Sequence, residues 1–148
     1  MKLMINGAVT IGTLDGANVE IHEQVGDENI FLFGLKANEV DELWQKGYNP
    51  NDFMTPELQR VFDMLTSGVL GQHYDDLVAS LLTNRFGVAD PYMTVADFND
   101  YCREQEVVAK TYTDRRKFAE MSLVNIAKAG IFSSDRSVEQ YAKEIWDL

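Results

Sequence analysis

Lys2 is the residue near the start of the sequence that could do covalent chemistry. A lysine amine can form an imine with an aldehyde cofactor when apolar surroundings hold it in place. Apolar side chains flank it in the sequence: Met1, Leu3, Met4 and Ile5. A lysine near a chain end is also commonly a freely solvated charge. The residue types alone leave both interpretations open.

Three glycines lie beside short β-prone runs, where a phosphate-binding loop would be expected. They occur in the pairs Asn6-Gly7, Ile11-Gly12 and Asp15-Gly16. None has the spacing G-x-G-x-x-G or G-x-x-x-x-G-K-[ST], so the sequence supports neither a dinucleotide site nor a P-loop. We interpret these glycines as turn residues.

The histidines and the serine pair give no sign of a metal centre or of a nucleophile. His22 and His73 lie far apart, and neither has a second ligand at metal-binding spacing. Ser133 and Ser134 precede Asp135, but no G-x-S-x-G turn surrounds them. We therefore predict no metal site, and we assign the serines to helix capping.

Charge and composition argue against a protein that binds nucleic acid or spans a membrane. The 148 residues include 13 basic and 24 acidic side chains, a net charge of -11. Such a charge repels nucleic-acid phosphates and anionic lipid, so we expect neither as a partner. The sequence has no apolar stretch of about 18 residues, which predicts no membrane span. A single cysteine, Cys102, fits a reducing compartment, and we expect a cytoplasmic location.

The first 35 residues have the pattern of a βαβ unit. Residues 8–13 and the wholly apolar run 30–33 predict two strands, and residues 17–25 between them predict a weakly amphipathic helix. Apolar runs of this kind suit a parallel sheet that is covered on both faces. We expect a right-handed crossover between the strands.

Helix signals fill the rest of the chain. The predicted helix starts are Asn38 with Asp41, Thr55-Pro56, Tyr74 or Asp75, Thr94 with Asp97, Asp114, and Ser134 or Asp135. The helix at Asn38 is expected to end at Gly47, and the helix capped by Asp114 is expected to cover residues 115–128, with Gly130 just beyond its end. The last helix should cover residues 136–146. Its predicted buried stripe consists of Val138, Tyr141, Ala142 and Ile145, with Trp146 at its end.

The two predicted strands are too few for an ordinary parallel sheet. Two strands are fewer than the four to six that are usual. We therefore predict an α/β chain, residues 1–148, that is the end of a larger domain. It would comprise a βαβ unit with the lysine segment over residues 1–35 and a mostly helical part over residues 36–148.

The opening run MKLMINGAVTIGTLDGANVE, residues 1–20, resembles the pyridoxal-phosphate lysine segment of the α-glucan phosphorylases. The resemblance continues through residues 28–34, 46–48 and 125–146, so nearly the whole chain is covered. It implies the C-terminal part of a Rossmann-like domain in a glycosyltransferase with two such domains.

The resemblance also implies an activity. The family cleaves terminal α-1,4-linked glucose from a glucan with inorganic phosphate and releases glucose 1-phosphate. Lys2 would hold pyridoxal 5'-phosphate as a Schiff base, and the cofactor's phosphate would take part in proton transfer. Glucan and phosphate are thus the implied partners of the full-length enzyme.

Family members are several times longer than this chain. Their glutamate, Gly-Thr-Gly turn and phosphate-binding lysine and arginine lie upstream of the matched segment. Lys2 is therefore the one site residue carried over, no complete catalytic set is expected, and the isolated chain should be inactive. Two alternatives stay open: a non-catalytic, helix-rich interaction or regulatory module, and an unrelated nucleotide-binding α/β domain. Unpaired strand edges within residues 1–35 predict a homo-oligomer.

Overall fold

Helices dominate the computed structural model, which describes residues 1–147. The helices are α1 (Lys2–Ile5), α2 (Ala17–Val25), α3 (Ala37–Lys46), α4 (Pro56–Thr66), α5 (Asp75–Leu82), α6 (Thr94–Thr113), α7 (Arg115–Lys128) and α8 (Ser134–Glu144). The strands are β1 (Ile11–Gly12) and β2 (Phe31–Leu32). Short 3-10 segments cover Asp27–Asn29, Pro50–Phe53, Asn84–Phe86 and Ala129–Phe132. No helix in the described part is long and apolar enough to span a membrane.

The chain divides into two compact units. The terminal unit consists of Met1–Leu32 and the chain from Glu104 onward, and the central unit is Phe33–Arg103. The sequence predicts a division of the chain at residue 35, into a βαβ unit and a mostly helical part. That division stays a prediction.

The terminal unit contains the parallel strand pair. Ile11 lies opposite Phe31 and Gly12 opposite Leu32, with α2 between the strands in the chain. The order strand, helix, strand and the bounds of α2 are as predicted. Both strands are shorter than predicted, because each has only the other to pair with among the described residues and the ladder ends after two residues.

The core of the terminal unit forms where α1, α2 and α7 meet. Its buried residues are Met4, Ile21, Val25, Ile30 and Ala129. The Nδ2 of Asn125 in α7 donates to the backbone oxygens of Asn29, at 2.8 Å, and Met121, at 3.0 Å. These bonds tie α7 to the segment that leads into β2.

The central unit has its own core between α4, α5 and the beginning of α6. Its buried residues are Leu58, Phe62 and Val95. Thr55 caps α4, as predicted, because its Oγ1 accepts from the Leu58 N–H at 3.2 Å. Helix α5 begins after Tyr74, one of the two starts predicted for it.

Several helix ends differ from the sequence prediction. Helix α3 begins at Ala37, where the Glu39 carboxylate accepts from the Lys36 N–H at 2.8 Å; Asn38 is already helical. Helix α7, in contrast, covers Arg115–Lys128 as predicted, and the chain after it continues as a 3-10 segment through Gly130 to Phe132. The cap of α8 is Ser133, whose Oγ accepts from Arg136 N at 3.2 Å.

The start of α6 is capped by a residue that the sequence analysis missed. Asp90 is fully buried, and its carboxylate accepts from the Thr94 and Val95 N–H groups at 2.8 and 2.7 Å. The Tyr48 hydroxyl also donates to it, at 2.8 Å. Thr94 is the first helical residue of α6 and not its cap. The capping carboxylate thus belongs to a residue four positions before the first residue of α6.

The predicted buried stripe of the last helix is wrong. The exposed fractions are 55% for Val138, 52% for Tyr141, 67% for Ile145 and 58% for Trp146. Helix α8 also ends at Glu144, two residues before the predicted end. Helix α8 is amphipathic, as the sequence pattern indicates, but no surface formed by the described residues covers its apolar side.

Candidate functional site

Lys2 is the first residue of α1, and its side chain is exposed to solvent. Below it, Met4 is 1% exposed and belongs to the core of the terminal unit. The Asn6 Nδ2 donates to the Lys2 backbone oxygen at 2.7 Å, which closes the single turn. The backbone of Lys2 is therefore fixed while its side chain remains exposed to solvent.

The end of α1 is also fixed against α7. The Ser122 hydroxyl donates to the backbone oxygen of Gly7 at 2.6 Å. Gly7 has a φ of +85°, and a Cβ placed there would lie 2.5 Å from Ser122 Oγ. A side chain at this position would therefore strain the backbone and displace the serine. Gly7 lets the chain turn sharply out of the lysine helix.

The apolar neighbours of Lys2 do not enclose its amine. Met1, Leu3 and Ile5 are 56, 75 and 59% exposed, and only Met4 is buried. A four-residue helix has one inward side, and Met4 occupies it. Of the two interpretations that the sequence leaves open, the described residues show the solvated one, because no apolar environment encloses the amine.

The loop between β1 and α2 is held by side-chain contacts. Asn18 Nδ2 donates to the Thr13 backbone oxygen at 2.9 Å, and Thr13 Oγ1 donates to Asp15 at 3.0 Å. Gly16 has a positive φ of 47° and opens α2 as a turn residue. Gly12 instead lies in β1, where a Cβ would approach Asn18 Nδ2 to 2.6 Å. Its role is close packing, which corrects the turn interpretation at that position.

The histidines have other partners. His22 Nε2 lies 2.6 Å from an Asp27 carboxylate oxygen, and His73 Nδ1 lies 2.6 Å from the Thr66 backbone oxygen. Within residues 1–147, no three His, Cys, Asp or Glu side chains come close enough together to hold a metal ion.

A phosphorylated aldehyde cofactor needs more than an amine. Its phosphate calls for cationic side chains or clustered N–H groups. Residues 3–35, which follow the lysine through both strands, contain neither Lys nor Arg. The described residues thus supply an exposed amine, but by themselves they do not form a pocket that fits pyridoxal phosphate.

Sequence reasoning missed two buried polar side chains that hold these elements in place. Asp90 and Asn125 are both 0% exposed. The Oδ1 of Asn125 has no hydrogen-bond partner in the described chain, although its Nδ2 makes two bonds. The signal that could have found Asn125 is its position on an otherwise apolar helix side, since a buried amide is usually kept for its hydrogen bonds.

Comparison with known proteins places the chain in a family. Residues 1–148 match the carbohydrate phosphorylase family. The chain is 45% identical over 150 residues to the muscle glycogen phosphorylases of Homo sapiens and of Bos taurus, and 43% identical to the glycogen phosphorylase of Synechocystis.

Each of these alignments covers 100% of this chain and 18% of the relative. The chain therefore spans about a fifth of the length of the curated relatives that it matches. The family match confirms the resemblance drawn from the lysine segment and the later motifs. The chain belongs to the carbohydrate phosphorylase family.

Proposed function

We propose that this chain is a segment of an α-glucan phosphorylase and that it contributes Lys2 as the attachment point of pyridoxal 5'-phosphate. The parent enzyme would transfer terminal α-1,4-linked glucosyl units of a glucan to phosphate and release glucose 1-phosphate. The observation that carries the proposal is the family match over residues 1–148, which includes the segment with the exposed Lys2. The reducing conditions suggested by the single Cys102 support a cytoplasmic enzyme.

The described residues would position the lysine and leave its amine accessible. The buried Met4 and the Asn6 bond fix the turn that carries Lys2. The Ser122 bond to Gly7 O then fixes the direction in which the chain leaves that turn. A fixed backbone at the attachment point is the contribution that a positioning scaffold would make to group transfer.

The parallel β1-α2-β2 unit would be the edge of a Rossmann-like sheet. Two paired residues per strand are too few to stand alone as a sheet, and further strands beside them would extend the ladder. The phosphate-binding and sugar-binding groups would likewise come from polypeptide beyond these 148 residues.

Activity is the first test of this proposal. The purified chain, incubated with glycogen, phosphate and pyridoxal phosphate, should form no glucose 1-phosphate, because the described residues lack a cationic site beside Lys2. A coupled glucose 1-phosphate assay measures this. Formation that scales with protein and disappears in Lys2→Ala would contradict the proposed division of the site.

Covalent labelling tests the lysine itself. The chain has seven lysines, so incubation with a limiting amount of pyridoxal phosphate, borohydride reduction and peptide mapping reports which of them reacts. All seven lysines are exposed, and we expect Lys2 to be the most labelled site because it lies in the segment that resembles the family's cofactor-binding lysine segment. The matched control is Lys36→Arg, which should leave Lys2 labelling unchanged. Equal labelling of all seven lysines would contradict an anchoring role.

A second candidate function is an interaction module without chemistry. The observation in its favour is the exposure of Leu3 and Ile5 on α1 and of Leu123 and Ile126 on α7, two helices that pack against each other. Unselective lysine labelling together with tight binding of a partner protein through these residues would favour this alternative.

A further inference from the structure

The central unit contains a groove that is lined by uncharged residues. It has a volume of about 300 Å3 and lies between the end of α3, the Pro50–Phe53 segment and the residues that follow α5. Trp44, Tyr48, Asn49 and Asn84 contribute its aromatic and amide side chains, and Leu82 and Val88 its aliphatic ones. A quarter of the whole chain is charged, yet no residue lining this groove carries a charge.

The aromatic side of the groove is held in place. The Trp44 and Tyr48 rings meet edge to face, with centroids 5.3 Å apart and an interplanar angle of 84°. The Tyr48 hydroxyl donates to the buried Asp90 at 2.8 Å, which fixes the hydroxyl end of the side chain. Trp44 is 37% exposed and so retains accessible ring surface. Rigid aromatic surface of this kind packs against C–H groups of a ligand.

The two amide side chains are oriented by their oxygens. Asn49 Oδ1 accepts from the Asn51 N–H at 3.1 Å and from Asn51 Nδ2 at 3.0 Å. Asn84 Oδ1 accepts from the Ala89 N–H at 2.9 Å. With their oxygens engaged, both side chains present NH2 groups that have no partner within residues 1–147. The groove thus offers two oriented neutral donors beside an aromatic surface.

We propose that this groove binds glucosyl residues of a neutral oligosaccharide, at a site separate from Lys2. A pyranose ring has an apolar C–H face that packs on an aromatic ring and a rim of hydroxyl oxygens that accept hydrogen bonds. The aromatic pair and the Asn49 and Asn84 amides match these two properties. A net charge of -11 disfavours anionic ligands, and an uncharged lining offers a cation no counter-charge. The volume is at the lower end for small-molecule sites and suits one or two sugar units.

Maltoheptaose is the probe for this site, a choice that rests on the proposed function. The chain has two tryptophans, so Trp146→Phe leaves Trp44 as the only one and makes its emission a local signal. Titration should give a saturable change in emission with a Kd on the order of 1 mM. Saturation-transfer NMR on the sugar protons provides a second readout that does not depend on tryptophan.

Two substitutions separate the groove from nonspecific binding. Asn84→Asp keeps the acceptor for Ala89 N–H but removes the donor, and it should weaken binding about tenfold, the effect of one lost hydrogen bond. Asn38→Asp makes the same change of charge on the exposed side of α3 and should leave binding unchanged. Trp44→Ala should abolish the saturation transfer while the thermal midpoint stays close to that of the wild type.

The site is independent of the lysine chemistry. Lys2→Ala should bind maltoheptaose as the wild type does, so failure of the anchoring role and failure of this groove give different results. The proposal is overturned by the absence of a saturable response in both readouts up to about 50 mM sugar, or by equal binding in Asn84→Asp and Asn38→Asp. Uptake of an apolar dye at Trp44 without any response to sugar would also overturn it.

Discussion

Single buried side chains hold the helices of each unit in register. In the central unit, Asp90 accepts three hydrogen bonds that join Tyr48 to the first turn of α6. In the terminal unit, Asn125 ties α7 to the backbone before β2. A buried carboxylate is tolerated when its oxygens accept hydrogen bonds in this way. Removal of one hydrogen-bond partner should therefore lower the free energy of unfolding.

The Tyr48 hydroxyl has a pH-dependent effect on stability. Burial first, and then the hydrogen bond and negative charge of Asp90, raise the pKa of Tyr48 above its ordinary value of about 10. The folded state therefore retains the tyrosine proton at pH values at which the unfolded state has lost it. This stabilisation is complete below about pH 10 and is lost as the pH rises towards the folded-state pKa.

Tyr48→Phe should lower the free energy of unfolding by about 1 kcal/mol near neutral pH, because one buried hydrogen bond is lost. The difference from wild type should shrink above about pH 10, where the wild type loses this stabilisation. Urea unfolding at several pH values measures the effect. Tyr92→Phe is the control, since Tyr92 is 87% exposed. A difference that grows with pH would contradict the assigned pKa direction.

Sequence reasoning could identify Lys2 only through resemblance to a family. The residue types around it leave a held lysine and a freely solvated lysine both open, and in the structure Leu3 and Ile5 face solvent. Asp90 was missed because it caps α6 from a backbone with a φ of +43°, a conformation uncommon for residues other than glycine and not readable from spacing. Local chemistry is visible in a sequence, but the environment of a side chain depends on what folds around it.

The helices show which structural features can be predicted from local sequence. Helix α2 and the Thr55 and Asp114 caps match their predictions because each depends on neighbours within one or two turns. Helix α1 was not predicted, since four residues show no readable period and its turn is stabilised by the burial of Met4. The α8 pattern predicted an amphipathic helix correctly, yet a pattern does not show whether a covering surface is present.

The exposure of the apolar side of α8 leads to a prediction about stability. Trp146→Ala should change the free energy of unfolding by less than about 0.5 kcal/mol, as expected for an exposed residue. Phe62→Ala, which empties a buried position of the central core, is the contrasting control and should cost about 3 kcal/mol or more. Urea midpoints of the two variants provide the comparison. A large cost for Trp146→Ala would mean that α8 docks against the chain in solution.

At the scale of the whole molecule, the two-stranded sheet leaves backbone groups unpaired. Within residues 1–147, β1 and β2 pair only with each other, so the outer edge of each strand offers free N–H and C=O groups. The exposed Leu123 and Ile126 on α7 add apolar surface in the same unit. Both features favour association with another polypeptide.

We therefore expect the isolated chain to self-associate at high concentration. Sedimentation velocity should show a concentration-dependent shift from monomer to dimer or larger species. Leu123→Lys should shift the equilibrium towards monomer, because it places a charge in the apolar surface of the terminal unit. Val69→Lys, at a 71% exposed position of the central unit, should have little effect. A monomer at all concentrations, or equal effects of both variants, would contradict this expectation.

Replacement of the matching segment in a full-length relative tests the central claim most directly. The glycogen phosphorylase of Synechocystis, 43% identical over 150 residues, would receive residues 1–148 in place of its own segment. Glucose 1-phosphate formation from glycogen and phosphate would then be measured in this chimera and in its Lys2→Ala variant. The proposal predicts that the chimera is active and that Lys2→Ala abolishes the activity while the protein stays folded. A folded chimera without activity, or one that keeps its activity in Lys2→Ala, would contradict the assignment of Lys2 as the cofactor anchor.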